Sequence, residues 1–266
     1  MESNIWRFLN TGFQNGFYNM AIDEVISQIS VPRDHKPVLR VYGWRPYAIS
    51  LGYNQDENDI NVERCHRDNI DIVRRPTGGR AVFHAEEVTY SIVLPKNSTL
   101  FSKDTLDIYN MISQGLVEGL RLIGVTAQLM RRTSTNSLNE KSNIPCFSSA
   151  AKYEITYQGK KLVGSAQRRY QNSILQHGSI LVGIMHLKLG EYISTDKDIN
   201  IENFTNYLKK KTISISQIVP DKIKYEQIIW GIKTGFQNFF KIQFLEGQLT
   251  PQEIYEVQKI IKNNKN

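Results

Sequence analysis

Two cysteines in 266 residues, Cys65 and Cys146, leave no disulfide framework, so a reducing compartment is the expected home. No apolar run approaches the roughly 20 residues that a membrane-spanning helix needs. The opening "MESNIWRFLNTGFQNGFYNM" lacks the basic start and apolar stretch of a secretory leader. These absences together point to the cytoplasm, with no membrane contact. Internal repeats, low-complexity tracts and Pro/Ser linkers are missing too, and the length suffices for one sizeable core, alone or with a short appendage.

Acidic residues are the scarcer charge: 26 Asp and Glu against 33 Lys and Arg give a formal +7. Net charge acts on encounter and non-specific binding rather than on fold, so an acidic partner is implied. Nucleic acid would satisfy the charge, but no nucleic-acid motif and no aromatics on a basic strand accompany it. An acidic protein fits as well.

What is present is amphipathic pattern. "GFYNMAIDEVISQIS" sets Phe17, Ala21, Val25 and Ile29 on one helical stripe. Strand-like runs follow in "VLRVYGW", "AISLGY", "IDIVRR" and "AVFHAEEVTYSIVLP". A second helix, "TLDIYNMISQGLVEGLRLIGV", buries Ile108, Ile112, Leu116 and Leu120 and ends at Gly124. Polar "RRTSTNSLNEKSN" is aperiodic and leads into Cys146. "YEITYQGKKLVGSAQRR" and "SILQHGSILVG" are consecutive strands with turns at Gln158-Gly159 and near Gln171-Asn172. The tail offers Thr250 as N-cap, Pro251 at the first helical position and Glu253 to close a capping box. Strands and helices cluster rather than alternate, which favours a mixed-sheet α+β domain. Trp6, Trp44 and Trp230 are expected in the core.

Three segments carry candidate chemistry. In "RRPTGGRAVFH", Gly78 and Gly79 permit close approach of backbone to a ligand, and Arg74, Arg75 and Arg80 surround that approach with positive charge, with His84 on the next strand. The alternative is a hairpin turn with a basic rim. In "KKLVGSAQ", a lysine precedes Gly164, Ser165 and Ala166, small residues that leave room beside the backbone; an edge strand with a small-residue bulge would look the same. In "LQHGS", Gln176, His177 and Gly178 interrupt an apolar strand, and His177 could equally be a satisfied core histidine. Cys65 beside His66 has no further ligands and makes no metal site.

The order "RRPTGGRAVFH", Cys146, "GKKLVGSAQ", "ILQHGSILV", flanked by "NMAIDEVI" and "LRVYGWRPYAISLGYNQ", resembles the lipoate–protein ligase and octanoyltransferase family, relatives of the biotin–protein ligases. Within it the likeness is to octanoyltransferases of the LipM type. The resemblance implies one catalytic domain over 1–266 with an acyl-binding tunnel, in which about 205–266 is a mostly helical extension. It implies Lys161 as the functional lysine and Cys146 as the acyl-carrying nucleophile, with the three glycine-containing segments around the acyl pocket. No cofactor or metal is implied. The donor would be octanoyl-acyl carrier protein, and the acceptor a lysine of the glycine cleavage H protein or an E2 lipoyl domain.

The chemistry is consistent with this. Thioester-to-thiol exchange is nearly isoenergetic and thioester-to-amide transfer is downhill, so no ATP is needed. A thiolate is a strong nucleophile, and a nearby cation lowers its pKa. Two departures stand out: Ala85 where the family often has aspartate, which would remove a polar contact at the pocket mouth, and Arg80 where ATP-using ligases usually carry a third glycine. The second favours a transferase. The rivals are an ATP-dependent lipoate ligase, an amidotransferase between lipoyl domains and, of another class, a binding module without catalysis.

Overall fold

The computed structural model describes residues 4–131, 153–194 and 200–263. Its strands are β1 (Ile5–Gln14), β2 (Val38–Trp44), β3 (Ala48–Leu51), β4 (Asp71–Arg74), β5 (Val82–His84), β6 (Glu87–Pro95), β7 (Gln128–Arg131), β8 (Tyr153–Tyr157), β9 (Lys160–Arg169), β10 (Ser173–Leu181) and β11 (Gln243–Gly247). Its α-helices are α1 (Gly16–Val25), α2 (Val31–Asp34), α3 (Val62–Arg67), α4 (Thr105–Leu122), α5 (Ile201–Lys211), α6 (Ile215–Ile218), α7 (Tyr225–Phe240) and α8 (Pro251–Asn263). Eight strands form one sheet in the order β11-β1-β2-β6-β10-β9-β8-β7, and a small sheet runs β4-β3-β5. β1 is parallel to β2 and β11, whereas β2, β6, β10, β9, β8 and β7 pair antiparallel. The architecture is mixed-sheet α+β.

The two faces of the large sheet differ in chemistry. On one, Leu39, Val41, Tyr90 and Ile92 pack against Ile108, Ile112, Leu116 and Leu120 of α4 and against α7. α4 and α7 approach closely because glycines face glycines: a Cβ on Gly235 would lie 2.3 Å from the Gly119 nitrogen. The opposite face is apolar at one end, where Val38, Val93 and Leu175 meet Ala21, Ile22 and Val25 of α1. Further along the same strands it turns polar. α1, α8 and the small sheet cover this face. Among the described residues no helix is long and apolar enough to cross a membrane.

Most of the helix and turn signals hold. Gly124 has φ +82° just past α4, and Gln158 (φ +49°) and Gly159 (φ +76°) make the β8–β9 turn. Thr250 and Glu253 form the capping box, with N–H to side-chain bonds of 3.2 and 2.7 Å. Other expectations fail. "AVFHAEEVTYSIVLP" is two strands in two sheets, broken where Glu86 takes φ +52°. Trp230 is 53% exposed, because α7 buries Ile228, Ile232 and Phe236 and turns position 230 outward. Phe17 is likewise 48% exposed at the start of α1.

Candidate active site

The polar stretch of the covered face is built in cross-strand rows. Arg40, Ser91, His177 and Ala166 lie side by side on β2, β6, β10 and β9, and Tyr42, Thr89, Ser179 and Gly164 form the next row. Strict alternation along β9 would send Lys161 to the opposite, apolar face together with Val163. It does not, because the β8–β9 register shifts: Ile155 pairs with Val163, and Thr156 with Lys161. The extra residue is a β-bulge, a device that re-aims a side chain. Leu162 and Val163 enter the core, and Lys161 turns to the polar face, where its Nζ lies 3.1 Å from Glu154 Oε1.

These rows floor a cleft of about 620 Å³, open solvent at its mouth included. Arg75, Gly78, Gly79, Arg80, His84, Lys161, Gly164, Ser165, Ala166, His177 and Gly178 all line it, so the three sequence segments converge. The basic segment is not a hairpin turn: its flanking strands β4 and β5 sit on opposite sides of β3. Arg75 is buried and pinned, donating to Ser50 O (2.8 Å), Ser50 Oγ (3.1 Å), Gly78 O (2.9 Å) and Arg80 O (2.7 Å). Gly79 has φ +100°, and its carbonyl packs so closely on Gly52 that a Cβ there would lie 1.9 Å from the oxygen.

Two expected residues lie elsewhere. Arg74 points outward, donating to the carbonyls of Gly52, Tyr53 and Gln55 and pairing with Glu57. Gln176 is fully buried on the apolar face, where its amide donates to the Tyr90 hydroxyl at 3.0 Å. Ser165 and Gly178 serve the cleft by backbone, since the Ser165 hydroxyl accepts from Tyr90 (2.7 Å) and a Cβ on Gly178 would strike Tyr90. Ala85 does not stand at the pocket mouth. It is buried among Phe83, Leu189 and Tyr192 and lines the adjoining cavity behind His84 and Trp44 rather than the cleft itself. Cys146 lies outside the described residues.

Two carboxylate–imidazole–hydroxyl chains stiffen the walls. His84 lies 2.8 Å from Glu87 through Nδ1 and 2.7 Å from Ser50 Oγ through Nε2. His177 lies 3.2 Å from Asp23 through Nδ1 and 2.7 Å from Thr77 Oγ1 through Nε2. Ionised carboxylates only accept, so each Nδ1–H donates to its acid, and each Nε2 faces a hydroxyl, Ser50 for His84 and Thr77 for His177. Burial alone would raise Asp23, yet Arg40 at 2.7 Å and His177 outweigh it and hold the carboxyl at about 2. Glu87 is also buried yet lowered, by His84 and by the hydroxyls of Ser179 and Thr89. Burial pushes His177 down, which keeps it neutral. Trp44, expected only as core, stacks on His84 at 4.1 Å and donates to Thr89 Oγ1 at 2.7 Å.

Asp23, Arg40, Tyr42, Ser50, Glu87, Thr89 and Ser179 were missed by sequence reasoning. A signal existed: polar residues at alternate positions of apolar strands, as in "LRVYG" and "EVTYSIV". Cys65 is fully buried, and its thiol is pushed up to about 11, by burial first and Asp68 second. Among the described residues no cluster of three or more His, Cys, Asp or Glu could hold a metal ion.

Comparison with known proteins places this geometry in context. The lipoyl protein ligase A/B catalytic domain matches residues 15–237. An octanoyltransferase LipM of Clostridioides difficile (strain 630) is 37% identical over 264 residues, covering 99% of this chain and 97% of that protein. The octanoyltransferase LipM of Bacillus subtilis (strain 168) is 32% identical, covering 96% of this chain and 93% of that one. Among solved structures, a bi-partite lipoate protein ligase of Thermoplasma acidophilum, described with its E2 lipoyl domain, superposes with a TM-score of 0.77. It is 20% identical and covers 97% of this chain and 92% of its own, a likeness of fold.

Proposed function

Because the chain belongs to the lipoyl protein ligase A/B catalytic-domain family, we propose that it is an octanoyltransferase working through a thioester on Cys146. The donor is the octanoyl thioester of acyl carrier protein, and the acceptor is a lysine of a lipoyl domain, on the glycine cleavage H protein or an E2 subunit. The observation that carries this reading is a near-full-length match to named octanoyltransferases in a chain whose bulged Lys161 lines the cleft.

In the first step the Cys146 thiolate attacks the thioester carbonyl, a C–S bond forms, and the carrier's thiolate leaves. In the second the acceptor's neutral amine attacks the new thioester. An amide forms, Cys146 leaves as thiolate, and the amine's surplus proton passes to that thiolate or to solvent. The Lys161 ammonium stabilises the thiolate and the oxyanion of each tetrahedral intermediate. Cys65 is unsuited to the role, being buried and held protonated. Donor and acceptor surfaces that are acidic would be drawn by the +7 charge.

The test is intact-protein mass spectrometry after mixing with octanoyl-acyl carrier protein, without ATP, for wild type and Cys146→Ala. An octanoyl mass on wild type alone is expected. Transfer that needs ATP and free acid, and survives Cys146→Ala, would instead make the protein a ligase.

A further inference from the structure

We propose that Met20 ends the acyl pocket and sets the longest chain that the protein accepts. This rests on the acyl-transfer reading and adds what the cleft does with the far end of the substrate.

The cleft crosses the sheet from Lys161 and Gly164 on β9, over β10 and β6, to Tyr42 and Trp44 on β2. Three inter-strand gaps at ~4.8 Å give a floor of about 14 Å. An extended octanoyl chain is about 9 Å long, seven bonds whose 1.52 Å length projects to ~1.3 Å along the zigzag. With its carbonyl at the Lys161 ammonium, the chain spans about two of those gaps, so its methyl end lies over β6, one gap (~5 Å) short of β2. At the β2 end of the floor, Met20, Tyr42 and Trp44 pack together in one buried cluster.

Two open spaces lie beyond that end. One cavity shares Trp44 and His84 with the cleft. That partition is locked, by ring stacking at 4.1 Å and by the hydrogen bonds of the His84 ring to Glu87 and Ser50. The other space is an outer groove of about 1530 Å³, open solvent included, which shares Met20 and Arg75 with the cleft. Arg75 is fixed by hydrogen bonds to Ser50, Gly78 and Arg80. Met20 remains: 9% exposed, unbranched, and without a polar tip to anchor it. It is the piece of the wall whose removal would join cleft to groove, and whose enlargement would shorten the cleft.

The experiment compares wild type, Met20→Ala and Met20→Phe for transfer from hexanoyl-, octanoyl- and dodecanoyl-acyl carrier protein to a purified lipoyl domain. Burying one more methylene is worth about fourfold in binding. Met20→Ala should therefore raise the dodecanoyl-to-octanoyl rate ratio at least tenfold, and Met20→Phe should raise the hexanoyl-to-octanoyl ratio. Affinities for Nε-octanoyl-lysine and Nε-dodecanoyl-lysine need no turnover and read the same ratio in a variant that has lost transfer. Wild-type octanoyl transfer with unchanged chain-length ratios in both variants overturns the role of Met20. A wild type that transfers no acyl group from carrier protein would instead sink the octanoyltransferase reading.

Discussion

Lys161 faces the cleft because of one additional residue in β9, and its charge is set against Glu154 at 3.1 Å rather than against solvent. That fixes an ammonium on the cleft wall where the acyl carbonyl is proposed to react. Removing a preorganised charge at a developing oxyanion typically costs 10²–10³-fold in rate. Lys161→Met is expected to lower single-turnover octanoyl transfer by about that factor. Lys161→Arg should lose less, since it keeps the pair with Glu154 but spreads its charge over a planar head. Quenched-flow transfer with a saturating donor checks both; equal rates for Lys161→Met and wild type would remove the lysine from the mechanism.

At the scale of elements, the sheet is backed by two helices whose closest approach runs through glycine. Gly115 and Gly119 of α4 meet Gly231 and Gly235 of α7. Alanine is the better helix former by about 1 kcal/mol, so propensity alone predicts that Gly235→Ala stabilises. Packing predicts the reverse. The new Cβ would sit 2.3 Å from the Gly119 nitrogen and 2.5 Å from its Cα, backbone atoms that no rotamer change can move. Overpacking of this kind costs about 1–3 kcal/mol, so net destabilisation of up to about 2 kcal/mol is expected after the propensity gain. Urea unfolding measures it, and a stabilised variant would mean that the helices can separate freely.

For the whole molecule, buried imidazoles set the acid limit. Burial holds His186 at about 4 against 6.5 in the unfolded chain. Between those values the unfolded state binds a proton that the folded state refuses, so stability is full above 6.5 and falls as pH drops towards 4. At 1.36 kcal/mol per unit the loss between pH 7.5 and 5 is about 2 kcal/mol. His177, also lowered by burial, acts in the same direction. Asp23 acts lower: held at about 2 against 3.8, it contributes above 3.8 and is lost as pH falls towards 2. Urea midpoints at pH 7.5 and 5 should show the His186 loss, and His186→Gln should flatten it. An unchanged slope in that variant would assign the acid sensitivity elsewhere.

The sequence by itself determined what is local and repetitive. The apolar stripe of α4, the Gly124 stop, the Gln158-Gly159 turn and the Thr250–Glu253 box each follow from side chains within a few residues of one another, where backbone sterics and short hydrogen bonds decide. The glycine-containing segments were legible too, because small residues between charges have few purposes. Only the tertiary structure decided which face each side chain meets. A one-residue bulge inverts Lys161, a break at Glu86 sends His84 and Thr89 to different sheets, and Arg74 turns outward while its neighbour Arg75 turns in. The buried chain from Arg40 through Asp23 to His177 joins residues 154 positions apart in sequence. Strand pairing sets such contacts, and pairing is a property of the whole sheet rather than of any short stretch of chain.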